Sequence, residues 1–388
     1  MKYSSKLYPN KNILNFLILT LLFLVFSHVQ AALPVPAPPE VAAKNYFVID
    51  FASGKVLAEK NPDEKIEPAS ITKLMTSYVV YKELEAGRLA MDDMVDISEK
   101  AWRMGGSRMY LEVNTSVSVH DLMKGLIVQS GNDASVALAE HIAGTEDAFV
   151  QLMNQYAREL GMDNTNFVNC TGWPDEEHLT TARDIAKLSV AIIKEFPERY
   201  TWHAEKEYTY NSIKQYNRNK LLWRDDSVDG MKTGHTESAG YCLVSSAVRS
   251  DMRVISVVLG TDSKKARANV SQALLNYGFR FYESHTLYSE GEVLSRPRIW
   301  SGEFQNLTVG LAEDLAIAIP RGAYDKLDAT MDIDMIIEAS GAKGLQIGVV
   351  KVSLDGELLE CMPLVALEPV IEGSLFQQAK DYFLRMIN

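Results

Sequence analysis

Four side chains in three short motifs supply the groups that acyl transfer through a serine ester requires. In chain order the motifs are Ser70-Ile71-Thr72-Lys73, Ser130-Gly131-Asn132 and Lys232-Thr233-Gly234. Ser70 is the candidate nucleophile, and Lys73 is its candidate base. Ser130 would relay a proton to the departing group, and Lys232 would bind a carboxylate.

Each motif is a weak signal by itself, and their order makes the signal strong. A chain of this length contains the S-x-x-K pattern roughly once or twice by chance, and Ser340-Gly341-Ala342-Lys343 also matches it. That second copy lies between two strand-like runs, and neither S-x-N nor K-T-G follows it, so we interpret it as a turn. The first copy is followed by one match of each further motif, which unrelated turns and helix faces would rarely produce.

The segment after Ser70 is predicted to be a helix that brings Lys73 beside Ser70. Apolar residues recur at helical spacing, namely Ile71, Leu74, Met75, Tyr78 and Val79. Glu67-Pro68-Ala69 is typical of a helix entry, and Gly87 of a helix end. Ser70 would lie in the first turn, where free N–H groups stabilise developing negative charge. The competing interpretation of Lys73, taken alone, is a solvated lysine on the helix surface.

A lysine acts as a base only in its neutral form. The pKa of a free lysine is about 10.4, so a very small fraction is deprotonated at pH 7. Burial and a second cation would lower that pKa, and Lys232 is the candidate for the second cation. The hypothesis therefore requires Lys73 to be buried.

The second motif is predicted to lie in a short break between two helices, and the third at the start of a strand. The first predicted helix covers Leu122 to Val128 and is capped by Asp121; the second covers Ala134 to Ala143, is capped by Asp133 and ends at Gly144. The predicted strands begin at Lys232 and continue over Tyr241 to Val248 and Met252 to Leu259. An edge strand in this meander would pair with an extended substrate. Strict alternation, however, places Lys232 and Thr233 on opposite faces of the strand.

Around the motifs the chain is predicted to be an α+β protein. Ala43 to Phe51 would be the first strand of a catalytic unit over residues 32–284, with a helical subdomain inserted before the late strands. Residues 285–373 are predicted to form a small all-β domain. The strand-like runs there are Leu315 to Ile319, Met331 to Ile336 and Ile347 to Leu354.

Residues 374–388 are predicted to form a one-sided amphipathic helix. Its apolar face would carry Leu375, Phe376, Ala379, Phe383, Met386 and Ile387. Two interpretations stay open, because such a helix either docks on its own domain or lies on a membrane surface.

With these motifs the chain resembles the low-molecular-mass penicillin-binding proteins of the serine-type D-alanyl-D-alanine carboxypeptidase family. The likeness covers essentially the whole mature chain and includes Gly172-Trp173, His178 to Asp184, Tyr216 to Asn219, and Val228 to Thr236. It implies a penicilloyl serine transferase fold, like that of β-lactamases. It also implies removal of the terminal D-alanine from peptidoglycan stem peptides, and acylation by β-lactam antibiotics, with no cofactor and no metal.

The resemblance also assigns roles to the motif residues. Ser70, Lys73 and Ser130 would be catalytic, with Ser70 attacking the carbonyl between the two D-alanines. The substrate would be bound by Asn132, Lys232, Thr233, Gly234 and His235. Within that set Asn132 would position the substrate amide, and Lys232 with Thr233 would hold the terminal carboxylate. The backbone N–H groups of Ser70 and His235 would form the oxyanion hole.

Two departures from related patterns keep other functions open. The second motif is Ser-Gly-Asn, whereas class A β-lactamases have Ser-Asp-Asn, which favours the peptidase branch. Those β-lactamases also carry a deacylating glutamate in Glu-x-x-Leu-Asn, and Glu176 to Thr180 approaches this pattern but ends in threonine. The alternatives are a β-lactamase, a DD-endopeptidase, and a non-catalytic penicillin-binding protein of the cell wall.

The first 31 residues are predicted to be a signal peptide. Three lysines precede a largely apolar run of 14 residues, Ile13 to Phe26, which is short for a membrane span. Val29-Gln30-Ala31 then fits a cleavage site; the alternative is an uncleaved anchor. By resemblance, the mature protein is expected in the periplasm, attached peripherally to the outer face of the inner membrane through its C-terminal helix.

Charge and cysteine content exclude two further classes of function. Loss of three lysines and no acidic residue would change the net charge from −12 to −15, which argues against nucleic-acid binding. The three cysteines, Cys170, Cys242 and Cys361, contain no C-x-x-C pair. They suggest neither a disulfide framework nor a zinc site, and at least one thiol should be free.

Overall fold

The computed structural model describes residues 35–334 and 336–387, so the predicted signal peptide lies outside the described residues. The first two strands are β1 (Asn45–Asp50) and β2 (Val56–Lys60), which pair antiparallel. All six residues of β1 are buried. This agrees with the predicted first strand over Ala43 to Phe51.

A helical lobe follows β2 and precedes the remaining strands of its sheet, as predicted. Its helices are α1 (Lys73–Glu85), α2 (Glu99–Arg103), α3 (Val119–Lys124), α4 (Asn132–Ala143), α5 (Glu146–Glu159), α6 (Ala182–Glu195), α7 (Pro197–Tyr200) and α8 (Leu221–Arg224). It also contains two short antiparallel pairs, β3 (Met94–Asp96) with β4 (Ser116–Ser118), and β5 (Glu207–Tyr210) with β6 (Ile213–Tyr216).

The chain returns as an antiparallel meander that completes the sheet. Its elements are β7 (Val228–Thr236), β8 (Gly240–Arg249), β9 (Met252–Thr261) and the helix α9 (Lys264–Phe281). The strand order is β2-β1-β9-β8-β7, so β7 is an edge strand. The predicted meander is confirmed, but Lys232 lies in the middle of β7 and does not open it, because the strand already begins at Val228.

Two hydrophobic clusters cover the two faces of this sheet. One joins the sheet to the helical lobe through residues such as Ile71, Leu126 and Val257. The other packs α9 against the opposite face, with Leu274 and Val254 among its members. Because both faces are buried, the central strands are mostly apolar, and their polar residues include the buried Ser245, Ser246 and Ser256.

The C-terminal part is all-β, as predicted, and ends in a helix. Its strands are β10 (Tyr282–Tyr288), β11 (Ile299–Trp300), β12 (Val309–Gly310), β13 (Leu315–Pro320), β14 (Leu327–Ile333), β15 (Ile337–Glu338), β16 (Gln346–Leu354) and β17 (Glu357–Ala366). They enclose a separate core. The strand predicted over Met331 to Ile336 begins and ends earlier in the chain, because Leu327 to Ile333 pair in register with Leu354 to Gly348 of β16.

The last element is α10 (Leu375–Ile387), in agreement with the predicted C-terminal helix. In the described part of the chain, no helix combines the length and the apolar character that a membrane span requires.

The helix caps predicted at Asp121 and Asp133 are wrong. The side chain of Ser118, and not that of Asp121, caps α3 by accepting the Asp121 N–H. Asp133 lies inside α4, whose cap residue is Gly131. Its buried carboxylate accepts N–H groups from a distant loop, residues 109–111. A carboxylate that binds several backbone donors in another segment cannot be told from a cap by local sequence.

Candidate active site

The nucleophile lies in a tight turn that two backbone segments hold from outside. Ser70 belongs to a 3₁₀ turn, Ala69–Thr72, immediately before α1. The α-helix itself begins at Lys73, so the predicted first turn has this tighter form. A Cβ on Gly172 would lie 1.8 Å from the carbonyl oxygen of Ala69, and one on Gly234 would lie 2.9 Å from that of Pro68. Both glycines therefore permit close backbone approach to the nucleophile.

Lys73 is fully buried beside Ser70, which excludes the solvated surface lysine. Its Nζ lies 3.1 Å from Ser70 Oγ, 2.7 Å from Asn132 Oδ1 and 2.5 Å from the Thr171 carbonyl oxygen. Burial lowers the pKa of Lys73 to about 7, and the nearby Arg218 adds to this effect. Arg218 is therefore a further cation near Lys73, in addition to Lys232, which the sequence suggested.

The three partners of Lys73 also suit a neutral amine. A neutral amine donates two hydrogen bonds and accepts one. The Asn132 and Thr171 oxygens can only accept, whereas the Ser70 hydroxyl can donate. When Lys73 is charged, Nζ donates to Ser70 Oγ; when it is neutral, its lone pair can accept the Ser70 hydroxyl proton, as a general base requires.

Ser130 links Lys232 to the centre of the site. It ends the turn Gly125–Gln129 in a left-handed conformation, with φ 66°. Lys232 Nζ donates to Ser130 Oγ at 2.8 Å and to its neighbour's carbonyl, Thr233 O, at 3.0 Å. Burial, followed by repulsion from Lys73, holds the pKa of Lys232 well below its usual value. Ser130 Oγ thus accepts a hydrogen bond from Lys232, and this contact orients the Ser130 hydroxyl.

The second motif is held by a loop of the helical lobe. The Asn132 side chain donates to the Gly105 carbonyl at 2.8 Å, and the Asn132 N–H donates to Ser107 O at 2.7 Å. The Asp133 carboxylate binds the continuation of the same loop. The side-chain oxygen of Asn132 is not used by this loop, and it accepts a hydrogen bond from Lys73.

The edge strand β7 forms the opposite wall of the cleft. Thr233, Gly234 and His235 line the cleft, whereas Lys232 reaches into the helical lobe at Ser130. The alternation of β7 is therefore kept. Thr233 and Lys232 project from opposite faces of β7, and both still belong to one site because β7 is the edge of its sheet and packs against the helical lobe. The His235 ring stacks on Tyr241, with centroids 3.9 Å apart.

The cleft, of about 910 Å³, is rich in cations. Besides the motif residues, Arg218, Lys220, Lys264 and Arg267 line it, and Glu237 is the acidic residue among its described lining. Arg267 is buried and donates to the Gly234 carbonyl at 3.0 Å. Burial lowers its pKa to about 10. An excess of cations favours a substrate that carries a carboxylate.

Two of these residues show what sequence reasoning missed. Arg218 belongs to the segment Tyr216 to Asn219, quoted above for its family likeness, so its importance could have been anticipated. Arg267 lies inside α9 without any motif around it. Glu176 and Glu177, which approached a β-lactamase pattern, are exposed and lie outside the described cleft lining.

A five-stranded antiparallel sheet with an inserted helical lobe, and three such motifs in the cleft between them, defines the penicillin-binding serine transferases. A family model described as D-alanyl-D-alanine carboxypeptidase matches residues 32–263, and one described as penicillin-binding protein 5, C-terminal domain, matches residues 282–372. The chain belongs to the D-alanyl-D-alanine carboxypeptidase family of serine peptidases.

Individual relatives share nearly the whole chain. The chain is 43% identical to D-alanyl-D-alanine carboxypeptidase DacC of Escherichia coli over 94% of its own length and 93% of that protein. Identity to DacA of the same organism is 40%, over 91% and 90% of the two chains. The crystal structure of penicillin-binding protein 5 from Haemophilus influenzae superposes with a TM-score of 0.83 at 43% identity, covering 87% of this chain and 100% of that one.

Proposed function

We propose that the protein removes the terminal D-alanine from peptidoglycan stem peptides that end in D-Ala-D-Ala, through an acyl-enzyme on Ser70. The observation that supports this most is the buried Lys73, with a pKa of about 7 and its Nζ 3.1 Å from Ser70 Oγ. A base of this pKa is half neutral at pH 7, whereas a free lysine is almost wholly charged. Lys73 takes the Ser70 proton as Ser70 Oγ attacks the carbonyl carbon between the two D-alanines.

The remaining motif residues bind the substrate and complete the proton transfer. The oxyanion is stabilised by the N–H groups of Ser70 and His235, and Asn132 positions the substrate amide. Lys232 and Thr233 hold the terminal carboxylate, and Gly234 keeps β7 close to the nucleophile turn. When the C–N bond breaks, Ser130 donates its hydroxyl proton to the departing D-alanine amine and receives in its place the proton that Lys73 took from Ser70, so Lys73 is neutral again; Lys232 orients the Ser130 hydroxyl. Water then attacks the Ser70 ester and releases the shortened peptide.

The same geometry suits acylation by β-lactams. Their strained amide carries a nearby carboxylate, as the D-Ala-D-Ala terminus does, so the same oxyanion hole and cations bind it. The β-lactamase alternative is less well supported, because Glu176 and Glu177 are exposed outside the cleft. The endopeptidase and the non-catalytic alternative are distinguished by measurement of turnover.

The experiment uses the mature protein, a D-Ala-D-Ala peptide and a fluorescent penicillin, with Ser70→Ala as the matched variant. We expect D-alanine release and a single labelled residue in the unaltered protein, and neither in Ser70→Ala. A short-lived penicilloyl adduct without D-alanine release would identify a β-lactamase. A stable adduct without D-alanine release would leave a DD-endopeptidase or a non-catalytic binding protein, and cleavage of a cross-linked peptide dimer would then separate these two. Labelling of Ser70→Ala at full stoichiometry would contradict the assignment of the nucleophile.

We further propose that residues 374–388 attach the protein to the outer face of the cytoplasmic membrane from the periplasm. This rests on how α10 is docked. Asp381 accepts from Arg298 Nη2 at 3.2 Å and from the Ser301 N–H at 2.9 Å, so the polar side of α10 faces its own domain. The apolar side remains outside, with Leu375 84% and Phe376 79% exposed. An apolar helix face of this kind fits the interfacial region of a bilayer.

The predicted division of the chain belongs to the same proposal. Residues 1–31 direct export, residues 32–284 carry the chemistry, residues 285–373 support the catalytic unit, and residues 374–388 contact the membrane. In support, one family model ends at residue 263 and the other begins at residue 282, close to the proposed boundary. The C-terminal strands have a separate hydrophobic core.

A further inference from the structure

Two large aromatic side chains outside the three motifs stand half exposed in the cleft, Tyr216 and Trp173, and Trp173 offers the larger apolar ring. Trp173 is 51% exposed and lines the cleft together with Ser70 and Thr171. Trp102 and Trp223 are exposed to a similar degree, at 41% and 44%, but lie outside the described cleft lining. Exposed apolar surface inside a functional cleft is available for contact with a ligand.

The backbone of Trp173 is fixed before any ligand binds. Asn169 Oδ1 accepts the N–H groups of Gly172 at 2.8 Å and of Trp173 at 3.0 Å. Asn169 Nδ2 donates to the Trp173 carbonyl at 3.0 Å. One carboxamide therefore holds both backbone polar groups of Trp173. A preorganised aromatic ring loses little conformational entropy when a ligand packs on it.

The Trp173 ring packs on the loop that holds the Asn132 side chain. A Cβ built on Gly105 would lie 3.4 Å from Trp173 Cη2, and one on Gly106 would lie 3.5 Å from Trp173 Cζ3. The indole thus covers the Gly105–Gly106 segment, whose Gly105 carbonyl binds the Asn132 side chain. Ser130 and Lys232 mark the side of the leaving group. Trp173 lies beside the loop that binds Asn132, which in the proposed binding mode is the side of the acyl part of the substrate.

We propose that Trp173 determines specificity for the side chain of the residue that precedes D-Ala-D-Ala, and that it prefers a long aliphatic or an aromatic side chain. This inference rests on the proposed D-Ala-D-Ala peptidase function of the same cleft. The indole is the apolar wall of a subsite against which methylene groups or a ring pack. Asn169 is a positioning residue, because it acts through the backbone of Trp173.

The test compares two peptides that differ at the residue before D-Ala-D-Ala, one with glycine and one with Nε-acetyl-lysine. We expect Trp173→Ala to lower kcat/KM for the acetyl-lysine peptide about tenfold more than for the glycine peptide, which corresponds to the loss of a few methylene contacts. Trp173→Phe should retain most of the preference. Trp223→Ala is the matched control, since it removes an indole of similar exposure outside the cleft, and the preference should not change.

A binding measurement separates this inference from the proposed function. Both peptides are titrated against Ser70→Ala, and binding is followed by calorimetry with and without Trp173→Ala. The ratio of the two dissociation constants should collapse about tenfold when the indole is removed. Equal losses for both peptides would show that Trp173 only shapes its loop, and no loss for either would show that the ring is not used; both results overturn the inference. Failure of the unaltered protein to release D-alanine overturns the proposed function, and the binding ratios then still decide the role of Trp173.

Discussion

At the scale of single residues, the site depends on a lysine whose charge is tuned by burial. Lys73 is enclosed by acceptors that remain satisfied when it loses its proton, so deprotonation costs no hydrogen bond. Desolvation lowers its pKa to about 7. The neutral form is the base, and therefore acylation should increase as pH rises through this value.

We expect the second-order rate of acylation by a penicillin to increase about tenfold between pH 6 and pH 8, because the neutral fraction of a group with a pKa of about 7 rises from about a tenth to about nine tenths. Stopped-flow measurement with a fluorescent penicillin gives the profile. Arg218→Gln removes a cation that lowers this pKa, so the midpoint should move to higher pH whatever happens to the maximal rate. A flat profile, or an unmoved midpoint in Arg218→Gln, would contradict this account of the base.

The motif residues could be predicted from sequence, because each chemical group lies in a short pattern of fixed spacing. Two of their supporting residues, Arg267 and Asp133, could not. Arg267 reaches the cleft from α9, and Asp133 binds a loop more than twenty residues away. Such contacts are created by tertiary packing, and local sequence carries no trace of them.

At the scale of elements, the nucleophile turn is shaped by the loop around Gly172 as much as by α1. Gly172 has φ +83° and faces the Ala69 carbonyl directly. The periodic segments α1, β8 and β9 were predictable because their cores repeat at helix or strand spacing. The 3₁₀ form of the Ser70 turn was not, since it depends on this loop and on β7 packing against it.

We expect Gly172→Ala to abolish acylation and to destabilise the fold, because the new Cβ would lie 1.8 Å from a backbone oxygen. Gly144→Ala is the matched control. Gly144 has a similar φ of +78°, and nothing lies within 4 Å of its would-be Cβ. Because the control adds no close contact, it should lose only roughly 1–2 kcal/mol of unfolding free energy, the cost of an alanine at positive φ. Thermal melts and penicillin labelling measure both effects; equal behaviour of the two variants would refute the packing argument.

At the scale of the whole molecule, the chemistry and the proposed membrane contact lie in different parts. The cleft belongs to the sheet and the helical lobe, whereas α10 is docked on the C-terminal β domain through Asp381. The α+β class and the order of these parts were predictable from changes in periodicity along the chain. The mode of docking was not, because the amphipathic pattern alone does not tell which side of a helix is covered.

We expect deletion of residues 374–388 to release the mature protein from membranes without changing kcat/KM on a small peptide. The reason is that α10 contacts the β domain and lies outside the described cleft lining. Sedimentation with phospholipid vesicles compares the full-length and the shortened protein. As a control, Lys380→Gln changes the charge of α10 but leaves its apolar face, so vesicle binding should persist. A full-length protein that stays in the supernatant, or a deletion that unfolds the β domain, would favour a purely structural helix.

Because the nucleophile turn depends on distant segments, reaction with a penicillin also reports whether the protein is folded. Ser70, Ser130 and Lys232 come from three distant segments, and the serine is confined between the backbones of Gly172 and Gly234. A partly unfolded molecule cannot keep these groups in register, so it should not react with a penicillin. The fraction of chains that accept a fluorescent penicillin therefore counts native molecules directly, in a crude extract as well as in a purified sample.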